Sequence, residues 1–338
     1  MANTSRRWLA LKWIISLSLL FYIVRLIPFE SFRDTLQEAD WWIVTLSCLF
    51  MIPAYYFNSW QMYLMTHVQG LALSIGRIFF ISMITRFYEL FLPTYIAGGA
   101  IRWYHYARAN NKPAEALASI VLNRMLEVFL LLVFGLGFWL FDQRVADSSV
   151  EMVLMLSLLT VLSVVAYVLA YNRRLHRALE AGLRHLRAPV WFREGAGKVL
   201  AALSVYEDES IGFHLRVLLL AVIRHLITIY TIFMLIEALA LPVAFETIGW
   251  IRSIVVFAML LPISVSGFGV REATLVTLMA PFGVDAAAAV GFSLLLFLKG
   301  FVFSVVGGGC ELYRVFVMAE TRDKSTPSQS NTEPPASH

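Results

Sequence analysis

Charge is scarce in this chain. Asp, Glu, Lys and Arg make up 15% of its 338 residues, where an ordinary soluble domain carries about 25%. That shortage sets aside the soluble globular classes, which need polar side chains over their whole surface. Cysteine is nearly absent too: Cys48 and Cys310 are the two in the chain, and both stand in apolar runs. They read as small buried side chains and not as a disulfide framework. The seven histidines show no metal-ligand spacing, so no metal site is expected. A G-x-x-x-x-G-K-[ST] loop is missing, so ATP hydrolysis by this chain is not expected, and no cofactor is implied. Ten-residue segments of alternating polarity are missing as well, which sets aside a transmembrane β-barrel. The basic start "MANTSRRWLALKWIISLSLLFYIVRLIPF" has no small-residue cleavage site and reads as a retained first span.

What the chain has in quantity is apolar length. Hydrophobic residues make up 59% of it, and the mean hydropathy is +0.72. Apolar runs fall at about 8–27, 41–65, 78–100, 117–140, 150–171, 213–240, 250–280 and 286–315. Roughly 20 apolar residues cross a ~30 Å hydrocarbon core as a helix. The fold class is therefore all-α, a polytopic integral membrane protein. The formal charge of +4 then marks cytoplasmic loops and not a nucleic-acid surface. Aromatic clusters at "DWW", "AYYFNSWQMY" and "IRWYHYAR" fit interface belts.

Charge bias orients the runs. If every run crossed, with Arg6 and Arg7 inside, the basic stretch "RWYHYARANNK" and the Arg-rich loop 172–212 would both lie outside. The positive-inside rule opposes both. Both fall inside if 78–100 enters from the cytoplasm and returns to it. "FYELFLPTYIAGGAIRW" suits a reversal, because Pro93, Gly98 and Gly99 interrupt a helix. Run 250–280 carries the same break in "LLPISVSGFGVREATL", with Pro262, Ser264, Gly267 and Gly269. The expectation is about six full transmembrane helices plus two re-entrant hairpins. They form one transmembrane domain over 1–318, with halves at about 8–140 and 150–318, followed by a disordered, Pro/Ser-rich cytoplasmic tail over 319–338. Both termini are expected in the cytoplasm.

The halves match in order but start from opposite sides. "LPTYIAGGAIR" from Leu92 and "LPISVSGFGVR" from Leu261 align without a gap, 169 residues apart, pairing Leu92 with Leu261, Pro93 with Pro262, Gly98 with Gly267 and Arg102 with Arg271. An inverted-topology repeat is expected, with broken helices meeting near the midplane.

Charges inside the bilayer cost at least a few kcal/mol each and mark functional positions by default. Arg86, Arg102 and Arg271 lie in or beside the broken segments. A guanidinium fork there, with half-helix amides beside it, suits an anion such as phosphate. Arg124 and Glu127 share a helix face at i, i+3 and either bind cargo or neutralise each other. Glu272 is the natural partner of Arg271 or a proton carrier, and Lys299, in "LLLFLKGFVF", calls for a charge partner or a cavity. Arg216 and Arg252 are expected to reach the headgroups.

"RFYELFLPTYIAGGAIRWY", "NRMLE" and "LPISVSGFGVREA" together resemble the transmembrane domain of the bacterial lysylphosphatidylglycerol synthases and the stand-alone flippase-like proteins related to it, over roughly residues 8–318. The resemblance implies a protein of the bacterial inner membrane that moves modified or glycosylated lipids between leaflets. It implies one hairpin at Arg86, Pro93, Gly98, Gly99 and Arg102, and another at Pro262, Ser264, Gly267, Gly269, Arg271 and Glu272. Aminoacyl transfer belongs to a soluble domain that is expected to be absent, so no synthase activity is expected. The expected function is a flippase whose Arg-lined groove takes an anionic phospholipid, a modified phospholipid or a polyprenyl-phosphate-linked sugar. The alternatives are a non-catalytic membrane partner of an envelope biosynthetic enzyme, or an intramembrane enzyme acting on a lipid phosphate through Arg102, His105, Arg271 and Glu272. The expected partners are membrane lipids, with such an enzyme as a further possibility.

Overall fold

The computed structural model describes residues 33, 37–90, 97–145, 150–169, 178, 190–259 and 269–325. The first apolar run (8–27), both expected reversals with Pro93, Pro262, Ser264 and Gly267, and tail residues 326–338 lie outside them.

Apolar runs bounded by capping residues give ten α-helices among the described residues: α1 (Trp41–Val68), α2 (Ile75–Glu89), α3 (Ala97–Asn110), α4 (Pro113–Phe141), α5 (Val150–Leu169), α6 (Val190–Ser204), α7 (Ile211–Ala238), α8 (Phe245–Met259), α9 (Val270–Met279) and α10 (Ala286–Ser325). Asp40 starts α1 by accepting from the amides of Trp42 and Ile43, Ser74 caps α2 and Ser210 caps α7. Each satisfies a backbone donor that the first turn leaves open. Four of the described helices are long and apolar enough to cross a membrane: α1, α4, α7, and α10 over Ala286–Phe316. α10 continues to Ser325, so residues 319–325, expected in the disordered tail, extend that helix. Their sequence, "AETRDKS", holds the good helix formers Ala, Glu, Arg and Lys and can follow a helix already formed.

The segments expected to reverse are helices broken in two. α2 and α3 have 15 and 14 residues, about 22 Å each at 1.5 Å per residue. They run antiparallel: Gly98, at the start of α3, lies so close to Glu89 at the end of α2 that a Cβ would meet its carboxylate. At the other end His105 is within electrostatic reach of Arg77. α8, with 15 residues, and α9, with 10, also pack on each other.

Order and packing recur along the chain. An offset of 170 residues carries α1 onto α7, both 28 residues long, and α2 onto α8, both 15 long. Beyond the breaks the offset is 173, carrying Ala97 onto Val270 and Pro113 onto Ala286. The ungapped 169-residue match between the runs from Leu92 and Leu261 lies largely outside the described residues. The helix starts pair Arg102 with Leu275, and Arg271 falls opposite Gly98, because the second break is three residues longer than the first. Packing follows the same exchange: α2 lies on α10 and α8 on α4. A glycine admits each crossing. Gly307 sits on the Met83 backbone, Gly135 sits on Ser253, and 170 residues carry Met83 onto Ser253. α1 and α7 are antiparallel, with the Asp40 amide donating to Ala238 O at 2.9 Å and Ser47 Oγ donating to Thr231 O at 2.8 Å.

Two apolar cores occupy opposite ends of these helices. One gathers Val44, Trp139, Leu235, Ile251, Leu275 and Phe292. The other gathers Met65, Ile78, Leu122, Tyr206, Phe213 and Val217. In the first, Asp142 is buried just after α4, and its Oδ2 accepts from Thr247 Oγ1 at 2.6 Å and Trp250 Nε1 at 3.0 Å. Asp142→Ala strands both donors of α8 and is expected to cost about 1–3 kcal/mol of stability, read by thermal unfolding in detergent. An unchanged midpoint would show that this clasp carries no stability.

Candidate functional site

Between the two cores, halfway along the spans, the lining turns polar. Tyr55 is the fifteenth residue of α1, Glu127 the fifteenth of α4 and Arg224 the fourteenth of α7, in helices of 28, 29 and 28 residues. Around them opens a cavity of about 410 Å³, its mouth included, lined by Ala54, Tyr55 and Asn58 of α1, Ser82 and Arg86 of α2, Arg102 of α3, Glu127 of α4, and Arg224 and Thr228 of α7. A neighbouring cavity of about 390 Å³ shares Glu127 and Arg224 and adds Arg124 and Leu131 of α4, His225 of α7, and Arg252 and Val256 of α8. The repeat offset of 170 carries Ala54, Tyr55, Ser82 and Arg86 of the first onto Arg224, His225, Arg252 and Val256 of the second.

Ion pairs hold this layer in place. Arg86 Nη1 reaches Glu89 Oε2 at 2.9 Å, and its guanidinium stands 5.5 Å from the Tyr55 ring centre. Glu127 is shared: Oε2 takes Arg124 Nη1 at 3.0 Å and Oε1 takes Arg224 Nη1 at 3.4 Å. Asn123 Nδ2 also donates to Glu127 Oε1 at 3.2 Å, and Gln61 Nε2 donates to Asn123 Oδ1 at 2.8 Å. Arg252 Nη1 lies 3.4 Å from His225 Nε2. A guanidinium can only donate, so in this pair Nε2 is the acceptor.

Polar atoms of the first cavity are left without protein partners. Asn58 Oδ1, Ser82 Oγ, Arg102 Nε and Arg224 Nε are all buried and make no hydrogen bond. Buried polar groups are nearly always satisfied, and one left open costs on the order of 1–3 kcal/mol. Four such atoms belong to residues around one cavity.

Of the positions singled out from sequence, Arg86, Arg102 and Arg124 converge on this layer. Gly98 and Gly99 stand at the start of α3 beside it. Arg271 and Glu272 line neither cavity. Arg271 is 8% exposed, with Nε donating to Ser293 Oγ at 2.6 Å and Nη2 to Glu272 Oε1 at 2.8 Å. Glu272 Oε2 accepts from the Gly269 amide at 2.7 Å and so caps α9, while Gly269 holds φ +81°, which its lack of a side chain permits. This cluster ties α9 to α10. Ser293→Ala removes one arm and is expected to lower stability by about 1–2 kcal/mol in a detergent melt. An unchanged midpoint would show that this arm carries no stability. Lys299 is 7% exposed, and its Nζ bonds Thr231 O at 3.3 Å and Oγ1 at 3.1 Å. A carbonyl and a hydroxyl hold it where a carboxylate or a cavity was expected.

Arg252, expected to reach the headgroups, instead lies in the second cavity, because its place on α8 faces α4 and α7. Arg224, Asn58 and Ser82 were not among the site positions. The available signal for Arg224 was its place at the middle of a 28-residue apolar helix. The two cysteines are free and partly buried.

These features define a polytopic helical membrane protein with a polar, arginine-rich layer between two apolar cores. Residues 9–308 match the model of the family described as "Lysylphosphatidylglycerol synthase TM region", and the chain belongs to that family of lipid-related membrane proteins. No curated protein and no solved structure matches the chain.

Proposed function

We propose that this protein is a lipid flippase of the bacterial inner membrane, carrying the anionic headgroup of a phospholipid, a modified phospholipid or a polyprenyl-phosphate-linked sugar through the arginine layer while the tails stay in lipid. The observation that carries the reading is the first cavity: guanidinium and amide groups with unsatisfied atoms, halfway along the spans. A phosphate matches that set, because it accepts several hydrogen bonds and suits the guanidinium fork. Charged side chains at that depth need a compensating anion or water.

The architecture supports alternating access. α2 with α3, and α8 with α9, act as re-entrant hairpins whose arms of about 15–22 Å fall short of a ~30 Å core. Equivalent helices α1 and α7 run antiparallel, as an inverted repeat requires, so the two cavities serve opposite faces in turn. Six spans are completed by α5 and the run at 8–27, and both termini lie in the cytoplasm. Transport is favoured over chemistry because the one carboxylate lining the first cavity is held by two guanidiniums, which makes it a poor base.

Purified protein in vesicles carrying headgroup-labelled phosphatidylglycerol tests the proposal. Transport predicts that reductant added outside bleaches the inner-leaflet label in the presence of protein, with no new lipid species on extraction. Protection of the inner-leaflet label, as in protein-free vesicles, would overturn it.

A further inference from the structure

Among the described residues Glu127 is the one carboxylate lining either cavity, and it lines both. It sits at the middle of α4 and lines the first cavity together with Arg102 and Arg224, whose Nε atoms are buried and unsatisfied. Its two ion pairs are unequal. The bond from Arg124 at 3.0 Å is backed by the sequence spacing i, i+3 on the same helix, whereas the contact from Arg224 crosses between helices at 3.4 Å. Charge-assisted N–H···O bonds are at their strongest near 2.7–2.9 Å, so the Arg224 contact is the looser of the two.

We propose that Glu127 is a built-in counter-anion that competes with cargo for Arg224. The inference rests on the flippase reading and names how that site is regulated. In the empty protein the Glu127 carboxylate occupies Arg224. A headgroup phosphate entering from the Arg86 and Arg102 side takes Arg224 from it, and the carboxylate stays with Arg124. A phosphate and a carboxylate cannot both sit against one guanidinium without like-charge repulsion. Release of cargo is therefore assisted when Glu127 returns to Arg224. The shared position of Glu127 and Arg224 in both cavities makes this exchange the step at which cargo leaves one cavity for the other. An internal competitor keeps affinity low enough for turnover, since a ligand bound tightly in one state alone traps that state.

The test compares wild type and Glu127→Gln for binding of short-chain phosphatidylglycerol in neutral detergent and for flux of labelled phosphatidylglycerol in vesicles. The expected result is binding tighter by roughly tenfold, as Arg224 is freed from its 3.4 Å ion pair with Glu127, together with slower flux. In Glu127→Gln/Arg224→Gln the tightening disappears. Equal or weaker binding by Glu127→Gln overturns the inference. Should that variant fail to fold, Glu127→Asp serves: its carboxylate is drawn back by one methylene, so binding tightens, and equal or weaker binding overturns the inference. Failure of the underlying reading is distinguishable, because wild type would then neither bind nor move the lipid. Wild type that binds and moves it, with no tightening in the variant, sinks the counter-anion role alone.

Discussion

Arg102→Gln is expected to slow flux of labelled phosphatidylglycerol by roughly ten- to a hundredfold in vesicles, with little change in thermal stability. Gln keeps much of the length and the two donors of its amide but removes the charge and the fork. The guanidinium lines the first cavity, and its Nε is buried without a partner, so the wild-type side chain has a bond to give that no protein atom takes. A hydrogen bond to a charged group is worth about 1.5–3 kcal/mol, which sets the expected range at ~1.4 kcal/mol per tenfold. Stability is spared because removing an unsatisfied donor relieves a cost instead of adding one. Arg102→Lys keeps the charge without the bidentate geometry and should fall between the two. Flux of the variant within twofold of wild type would remove Arg102 from the site.

Gly307→Ala is expected to be among the most destabilising single changes in the protein. A Cβ at Gly307 would collide with the Met83 carbonyl oxygen and lie 2.8 Å from its carbon. Both are backbone atoms, so no side chain can turn away, and α10 would have to withdraw from α2. Small residues of this kind admit close helix packing in membranes. Overpacking ordinarily costs about 1–3 kcal/mol, and a backbone clash belongs at or above the top of that range. Gly309, two residues along, has nothing within 4 Å of its Cβ position, so Gly309→Ala should stay within about 0.5 kcal/mol. Equal melting temperatures for the two variants would contradict the packing of α2 on α10. Because this crossing joins α2 to α10, Gly307→Ala is also expected to reduce flux under the proposed function.

The residues that break helices were legible in the sequence. The Pro and Gly of "FLPTYIAGGAIR" announce that α2 ends and α3 begins anew, and "LPISVSGFGVR" does the same for α8 and α9. Arg86, Arg102 and Arg124 could be singled out because charge is conspicuous in an apolar run. Asn58 and Ser82 could not, since uncharged polar residues are common in such runs and their importance lies in having no partner, which only packing reveals. The motif match at an offset of 169 lies largely outside the described residues, while the helix starts on either side of it stand 170 and 173 residues apart. Charge likewise says nothing about direction on a helix. Arg271 turns to Ser293 and Glu272, while Arg252 turns into a cavity.

Photocrosslinking tests the central claim most directly: that an anionic headgroup passes through the polar layer. A photoreactive residue placed at Asn58, which lines the first cavity from α1, is illuminated in vesicles containing phosphatidylglycerol or phosphatidylcholine, and the lipid adducts are quantified by mass spectrometry. The account predicts adducts with phosphatidylglycerol in strong preference, and their loss when Arg102→Gln and Arg224→Gln are added. Equal capture of both lipids, or adducts that survive removal of both arginines, would contradict it.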